Sequence, residues 1–208
     1  MIFPFFLITI ITSDQQNLIT FGSKSHHAKA DEYCGDNVIW TYASGILTIT
    51  GTGPIYDFSA DTQPWNEKYA DITEVRISEG VTKIGSYAFF DLQQLKSITI
   101  PETVVYIGGY SFAFCSSLTS LMFPASVATI EDSAFIYVDQ LSEIKFYGCN
   151  DPAQGSTPFG EGSNVIIDVC ASYLDSQFGS QEIRKTLTDS SLCNPCGPLI
   201  PSNEFTPS

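Results

Sequence analysis

Between Ile72 and Tyr147 the chain repeats itself every 23 residues. Ile77, Ile100, Phe123 and Phe146 keep that step, and so do Ile72, Leu95, Leu118 and Leu141. Ile84, Ile107 and Ile130 form a third series; Phe89, Phe112 and Phe135 form a fourth. A fixed period of this size outranks any local propensity. Each unit is one coil that cannot bury its apolar face alone, so its neighbours must supply the core. Within the units, Val75/Ile77, Ile98/Ile100, Leu121/Phe123 and Ile144/Phe146 alternate with period two, the spacing of a half-buried strand. Pro101 and Pro124, which have no N–H to donate, end their strands. The pattern predicts parallel strands near 74–77, 97–100, 120–123 and 143–146, with Phe89, Phe112 and Phe135 stacked one above another. The other apolar positions fall three to five apart and bring the chain round the coil. Gly85 and Gly108 share a repeat position, but Glu131 replaces glycine in the third unit. That exchange argues against an obligatory left-handed backbone there.

The residues Ile77–Phe89, ISEGVTKIGSYAF, and Ile100–Cys115, IPETVVYIGGYSFAFC, carry a resemblance to leucine-rich repeats of the BspA-like, treponemal type. Phe123–Phe135, FPASVATIEDSAF, belongs with them, and Cys34–Gly53 is similar to the segment that often precedes such repeats. The resemblance covers roughly residues 34–178. It implies a mainly β solenoid of four to five coils with a parallel sheet. An N-terminal hairpin cap and a C-terminal cap of one strand and a short helix complete the expectation. It also implies a non-enzymatic surface antigen, found in host-associated bacteria and parasitic protists, that binds proteins or mediates adhesion. A solenoid of this kind also serves as an intracellular scaffold for protein–protein interaction, which is the alternative reading.

The flanks divide the rest of the chain. Residues 1–13 hold an apolar run, Ile2 to Ile11, too short to span a bilayer and suited to the core of a secretory signal peptide, although no Lys or Arg precedes it. Residues 14–33 read as a polar linker, and its adjacent His26 and His27 lack the spacing of a metal site. Residues 34–71 form the N-terminal cap and an irregular first coil. Val38–Tyr42 and Ile46–Thr50 make a hairpin there, and Ile49 stands 28 residues before Ile77. Trp40, Tyr56, Phe58 and Trp65 are available to cover the open end. Residues 72–147 are the regular repeats. Residues 148–187 form the C-terminal cap, in which Val165–Val169 reads as a last strand and Tyr173–Leu187 as a short helix. Residues 188–208 are a Ser/Pro/Asn-rich tail without a membrane or lipid anchor signal.

The net charge of −14 argues against nucleic acid as a partner and against an anionic membrane surface. Both histidines lie in the linker, so no Ser/His/Asp arrangement can be built, and no phosphate-binding loop or metal spacing is present. No cofactor is expected. No N-x-S/T sequon occurs, so N-glycosylation is not expected either. A protein ligand remains, such as a host extracellular-matrix or cell-surface protein, met by a secreted or surface-held chain. Alternation points Arg76, Thr99, Met122 and Lys145 outward from successive strands, which makes them the candidate contact residues.

Of the six cysteines, Cys115 sits inside a repeat where Leu92 and Val138 hold the equivalent places, so it is a packed apolar residue. Cys193-Asn-Pro-Cys196 lies in the tail, away from any strand–helix context that would make it a redox site. Phe146 and Ile167 are 21 residues apart, and so are Cys149 and Cys170. Stacking in that register would bring these two cysteines within disulfide reach. Pairings of Cys170 with Cys193 or Cys196, or of Cys34 with either tail cysteine, compete with it.

Overall fold

A computed structural model describes residues 32–153, 157–160, 165–187 and 193. The signal-peptide reading, most of the linker and nearly all of the tail lie outside the described residues. Among the described residues, thirteen strands build a solenoid. Strands β1 (Tyr33–Gly35), β2 (Val38–Ala43) and β3 (Ile46–Gly51) form an antiparallel cap. Tyr33, the last residue assigned to the linker, therefore belongs to a strand. The β2–β3 turn is two residues long, with Ser44 at φ 50° and Gly45 at φ 84°. Two positive φ values are what the favoured hairpin turn demands, and Gly45 supplies one without cost.

From β3 onward the pairing is parallel. Leu47 and Ile49 stand beside Val75 and Ile77 of β5 (Glu74–Ile77), so the first coil is 28 residues long, as the sequence requires. β5 then pairs with β7 (Ser97–Thr99) at the regular step. β9 (Ser120–Phe123), β11 (Glu143–Phe146), β12 (Ile167–Cys170) and β13 (Ile183–Leu187) continue the same side. This side is two sheets, β1-β2-β3-β5-β7 and β9-β11-β12-β13. β7 and β9 lie next to each other but share no ladder.

The return path of each coil also forms strands, which the pattern did not separate from connecting chain. β4 (Gly53–Pro54), β6 (Val81–Ile84), β8 (Tyr106–Ile107) and β10 (Thr129–Ile130) make a third sheet, parallel throughout. Here β8 and β10 pair, Tyr106 beside Thr129 and Ile107 beside Ile130, across the same coil boundary that is open on the other side. Apolar side chains from both sides fill the space between them and form one buried core. Phe89, Phe112 and Phe135 stack at its centre, with centroids 5.2 and 5.1 Å apart. Trp65 and Phe159 extend the ladder at its two ends, each 5.5 Å from the next ring. Trp65 follows a loop and a short 3₁₀ helix, Asn66–Lys68, follows it; its indole N–H donates to the Ala88 carbonyl at 3.1 Å. Trp40 and Phe58 pack edge-on against Trp65, whereas Tyr56 is exposed and its hydroxyl donates to Asp36.

The third side of each coil is a run of tight turns. Each run holds two residues in the left-handed region: Tyr87 and Asp91, Tyr110 and Phe114, Ser133 and Tyr137, all with φ between 57° and 64°. Gly85 and Gly108 are not left-handed, as the Glu131 exchange implied; they are glycine because coils touch there. A Cβ on Gly85 would meet the Tyr56 carbonyl oxygen at 1.9 Å, and one on Gly108 would meet the Ser86 nitrogen at 2.5 Å.

The C-terminal cap corrects two expectations. Ile183–Leu187 is strand β13, paired in parallel with β12, and not the end of a helix. Gly179 turns the chain at φ 57°, Phe178 is buried, and Leu174 is half exposed, so these residues share no single helical face. The open edge of β12 offers backbone hydrogen bonds that a detached helix could not use. The second correction concerns Cys149 and Cys170. β12 keeps the 23-residue step, with Ile144 beside Ile167 and Phe146 beside Val169. The 21-residue offset is therefore wrong, and Cys170 lies against Tyr147, its Sγ 3.8 Å from that carbonyl oxygen. Cys170 is bonded to Cys193, with Cα atoms 5.7 Å apart. Cys149 is disulfide-bonded too, but not to Cys170.

Candidate functional site

Two surfaces stand clear of the core. The first is the outward row of the long strands. In β5, Val75 and Ile77 are buried, so Glu74 and Arg76 project outward, and the same alternation holds in β9 and β11. Register puts Arg76 beside Thr48 and Thr99 in one sheet. It puts Lys145 beside Met122 and Asp168 in the other, and Asp168 beside Arg184. The four residues expected on this face are thus brought to one side, in two pairs that meet at the β7/β9 boundary. Met122, beside that boundary, is half exposed.

The charges of this row are already matched within the chain. Arg76 donates to both Glu74 oxygens, at 2.6 and 3.1 Å, and Lys145 reaches Glu143 at 2.7 Å. Each pair spans one outward step along a single strand. Hydrogen bonding to its neighbour raises the Arg76 and Lys145 pKa values and lowers that of Glu74. Asp168 accepts from Arg184 and from the Thr186 hydroxyl. Asp168 and Arg184 were missed in the sequence because their strands were placed out of register or read as helix.

The second surface follows the turns and the β8/β10 side. A shallow hollow of about 510 Å³ is lined by Tyr87, Tyr110, Glu131, Asp132 and their neighbours. Glu131 fills the place of the missing glycine. Its carboxylate accepts the Gly109 N–H at 2.8 Å and the Tyr106 hydroxyl. Burial, and then that hydrogen bond, pushes the Tyr106 phenol up to about 12. Lys83 lies over the Tyr106 ring, 5.1 Å from its centroid, and also binds Asp57 at 2.9 Å. Burial would raise the Asp57 pKa, but the Ser86 N–H and Lys83 prevail and lower it. Outside the hollow, half-buried Phe90 and exposed Phe114 and Tyr137 continue the aromatic edge.

The described thiols are held away from chemistry. Cys115 is buried and donates to the Phe89 carbonyl at 3.2 Å, and burial raises its pKa strongly. Burial pushes Cys34 up to about 12. Among the described residues no cluster of three metal-ligating side chains occurs, and no helix is long and apolar enough to cross a membrane.

A model of the BspA type leucine rich repeat region matches residues 67–154 in six copies. Residues 67–154 are BspA-type leucine-rich repeats. The match takes in β5 to β11, the stretch whose strands supply Arg76, Thr99, Met122 and Lys145. Among solved structures, a leucine-rich repeat protein from Eubacterium ventriosum is 21% identical, with a TM-score of 0.49, over 67% of this chain and 44% of that one. The pneumococcal vaccine antigen PcpA is 15% identical, with a TM-score of 0.45, over 64% and 38%. A leucine-rich repeat protein from Bacteroides ovatus is 16% identical, with a TM-score of 0.35, over 66% and 49%. The chain spans less than half the length of each of these structures. No curated protein matches it.

Proposed function

We propose that this leucine-rich-repeat protein is a non-enzymatic binding module, secreted or held at a cell surface, whose ligand is another protein. A host extracellular-matrix or cell-surface protein fits this reading. The observation that carries it is the outward row of the long strands. Side chains from successive coils stand there in register, clear of the core, and a solenoid commonly binds through such a row. Arg76, Thr99, Met122 and Lys145 are the proposed contacts. Because Arg76 and Lys145 are held by Glu74 and Glu143, a partner meets fixed, locally neutral pairs around a hydroxyl and a thioether. Such a surface gives its selectivity through shape and charge order rather than through net charge.

The test is binding of the purified chain to immobilised extracellular-matrix and cell-surface proteins. Arg76→Glu combined with Lys145→Glu should weaken any captured partner at least tenfold. An unchanged affinity would move the contact off this face. Cell fractionation with N-terminal sequencing separates this reading from an intracellular scaffold: the chain should be recovered outside the cell, starting near Asp14.

A further inference from the structure

The turn side of the repeats carries a strip of five aromatic rings, three exposed and two half-buried, that the strand-face reading does not use. Tyr110 stacks on Tyr87 at 5.0 Å, Tyr87 touches Phe90 at 5.4 Å, Phe90 meets Phe114 at 5.5 Å, and Phe114 stacks on Tyr137 at 4.7 Å. Tyr110, Phe114 and Tyr137 are 38%, 39% and 57% exposed, so these rings are not core. Four of the five, Tyr87, Tyr110, Phe114 and Tyr137, sit on left-handed backbone. Bulky side chains are disfavoured there, and glycine or asparagine would be easier to hold. Burial does not explain the three exposed rings, and backbone preference explains none of the four. Strain of this kind gathers at sites of recognition.

The charge around the strip is of one sign. The three turn segments 86–94, 109–117 and 132–140 contain Asp91, Asp132 and Asp139 and no Lys or Arg. Asp91 is engaged by Gln93, and Asp132 by the Thr157 N–H and hydroxyl. They act as fixed negative charge more than as free hydrogen-bonding forks. Ring faces and nearby carboxylates both attract cations. The chain uses such a contact itself, with Lys83 placed over Tyr106.

We propose that this strip is a docking surface for a lysine- or arginine-rich extended segment of a protein partner, gripped by cation–π contacts. The proposal concerns a different face from the strand row and does not depend on it. Nucleic acid, which also stacks on aromatic rings, would meet the −14 net charge and is disfavoured.

The probes are fluorescein-labelled deca-lysine, the same peptide with every lysine Nε-acetylated, and cellohexaose as a neutral ring-stacking ligand. The full chain should bind deca-lysine at physiological salt, and acetylation should abolish binding. Tyr110→Leu and Phe114→Leu keep an apolar side chain and the charge but remove the ring. Each should weaken binding about threefold, and the pair about tenfold. Tyr110→Phe, which keeps the ring, should bind like the parent and shows that the site tolerates substitution. Arg76→Glu with Lys145→Glu, on the other face, should leave the ring dependence intact. Unchanged affinity in both leucine variants, or equal binding of the acetylated peptide, would overturn the proposal. Ring-dependent binding of cellohexaose without ring-dependent binding of deca-lysine would overturn it in favour of a carbohydrate ligand.

Discussion

Ser111 occupies the repeat position held by Ala88 and Ala134. Its side chain is fully buried, and its hydroxyl has no hydrogen-bond partner. The backbone needs nothing from it, since its N–H donates to Gly108 and its carbonyl accepts from Phe89. An unmet hydroxyl costs about 1–3 kcal/mol of desolvation. Ser111→Ala should therefore leave stability unchanged or raise it by about 1 kcal/mol, read as a higher urea midpoint with the same slope. A clear loss would mean that the hydroxyl is bonded. Tyr106 makes an alkaline prediction. Its folded pKa, about 12, lies above the ordinary tyrosine value near 10. Between these values the folded state keeps a proton that the unfolded chain releases. Its contribution to stability is thus complete below pH ~10 and is lost as pH rises toward ~12. Wild type should lose more stability over that window than Tyr106→Phe. In absorbance titration Tyr106→Phe should lack one of the late-ionising phenols, since Tyr56 and Tyr173 are raised as well.

At the scale of the element, the phenylalanine ladder ties the coils together. Phe112 lies between Phe89 and Phe135 and is fully buried. Phe112→Ala should cost about 3–5 kcal/mol through the cavity left on both sides. A loss below about 1 kcal/mol in denaturant titration would show that the neighbouring rings close the gap. The middle of this ladder was legible in the sequence, because three rings at one step can only stack if the coils do. Its ends were not. Trp65 and Phe159 are each 24 residues from the next ring, in segments with their own turns, so nothing periodic marks them. β13 was hidden for a different reason. Ile183–Leu187 has no alternation of its own and is a strand because β12 offers it an edge. Nor did the period reveal that the return path forms β6, β8 and β10, since pairing over two residues leaves too short a pattern. On the strand face, alternation placed Arg76, Thr99, Met122 and Lys145 outward but could not foresee their acidic neighbours folding onto the two cations.

The whole molecule is a stack in which each coil depends on the next, so its ends decide how it unravels. At the C-terminal end, the Cys170–Cys193 bond encloses β13 in a loop of 23 residues. Chain entropy makes such a loop worth about 3 kcal/mol. Cys170→Ser with Cys193→Ser should lower stability by about that amount, and limited proteolysis should cut first near 183–187. Equal stability in the paired variant would mean that the Cys170–Cys193 bond adds nothing to what already holds β13. The other end needs no such bond, because the β1–β2–β3 cap is joined to β5 by a full parallel ladder.

The boundary between β7 and β9 has a mechanical meaning. On the strand side no ladder crosses it, while on the far side β8 grips β10 and Phe112 lies nearly flat on Phe135, 3° from parallel. Tension along the stack would not be shared evenly across that section. The closed side takes the load, and the open side, between Thr99 and Met122, gapes first. A pulled molecule would therefore bend before it broke, parting at one known seam into two blocks that each keep their long-strand sheet.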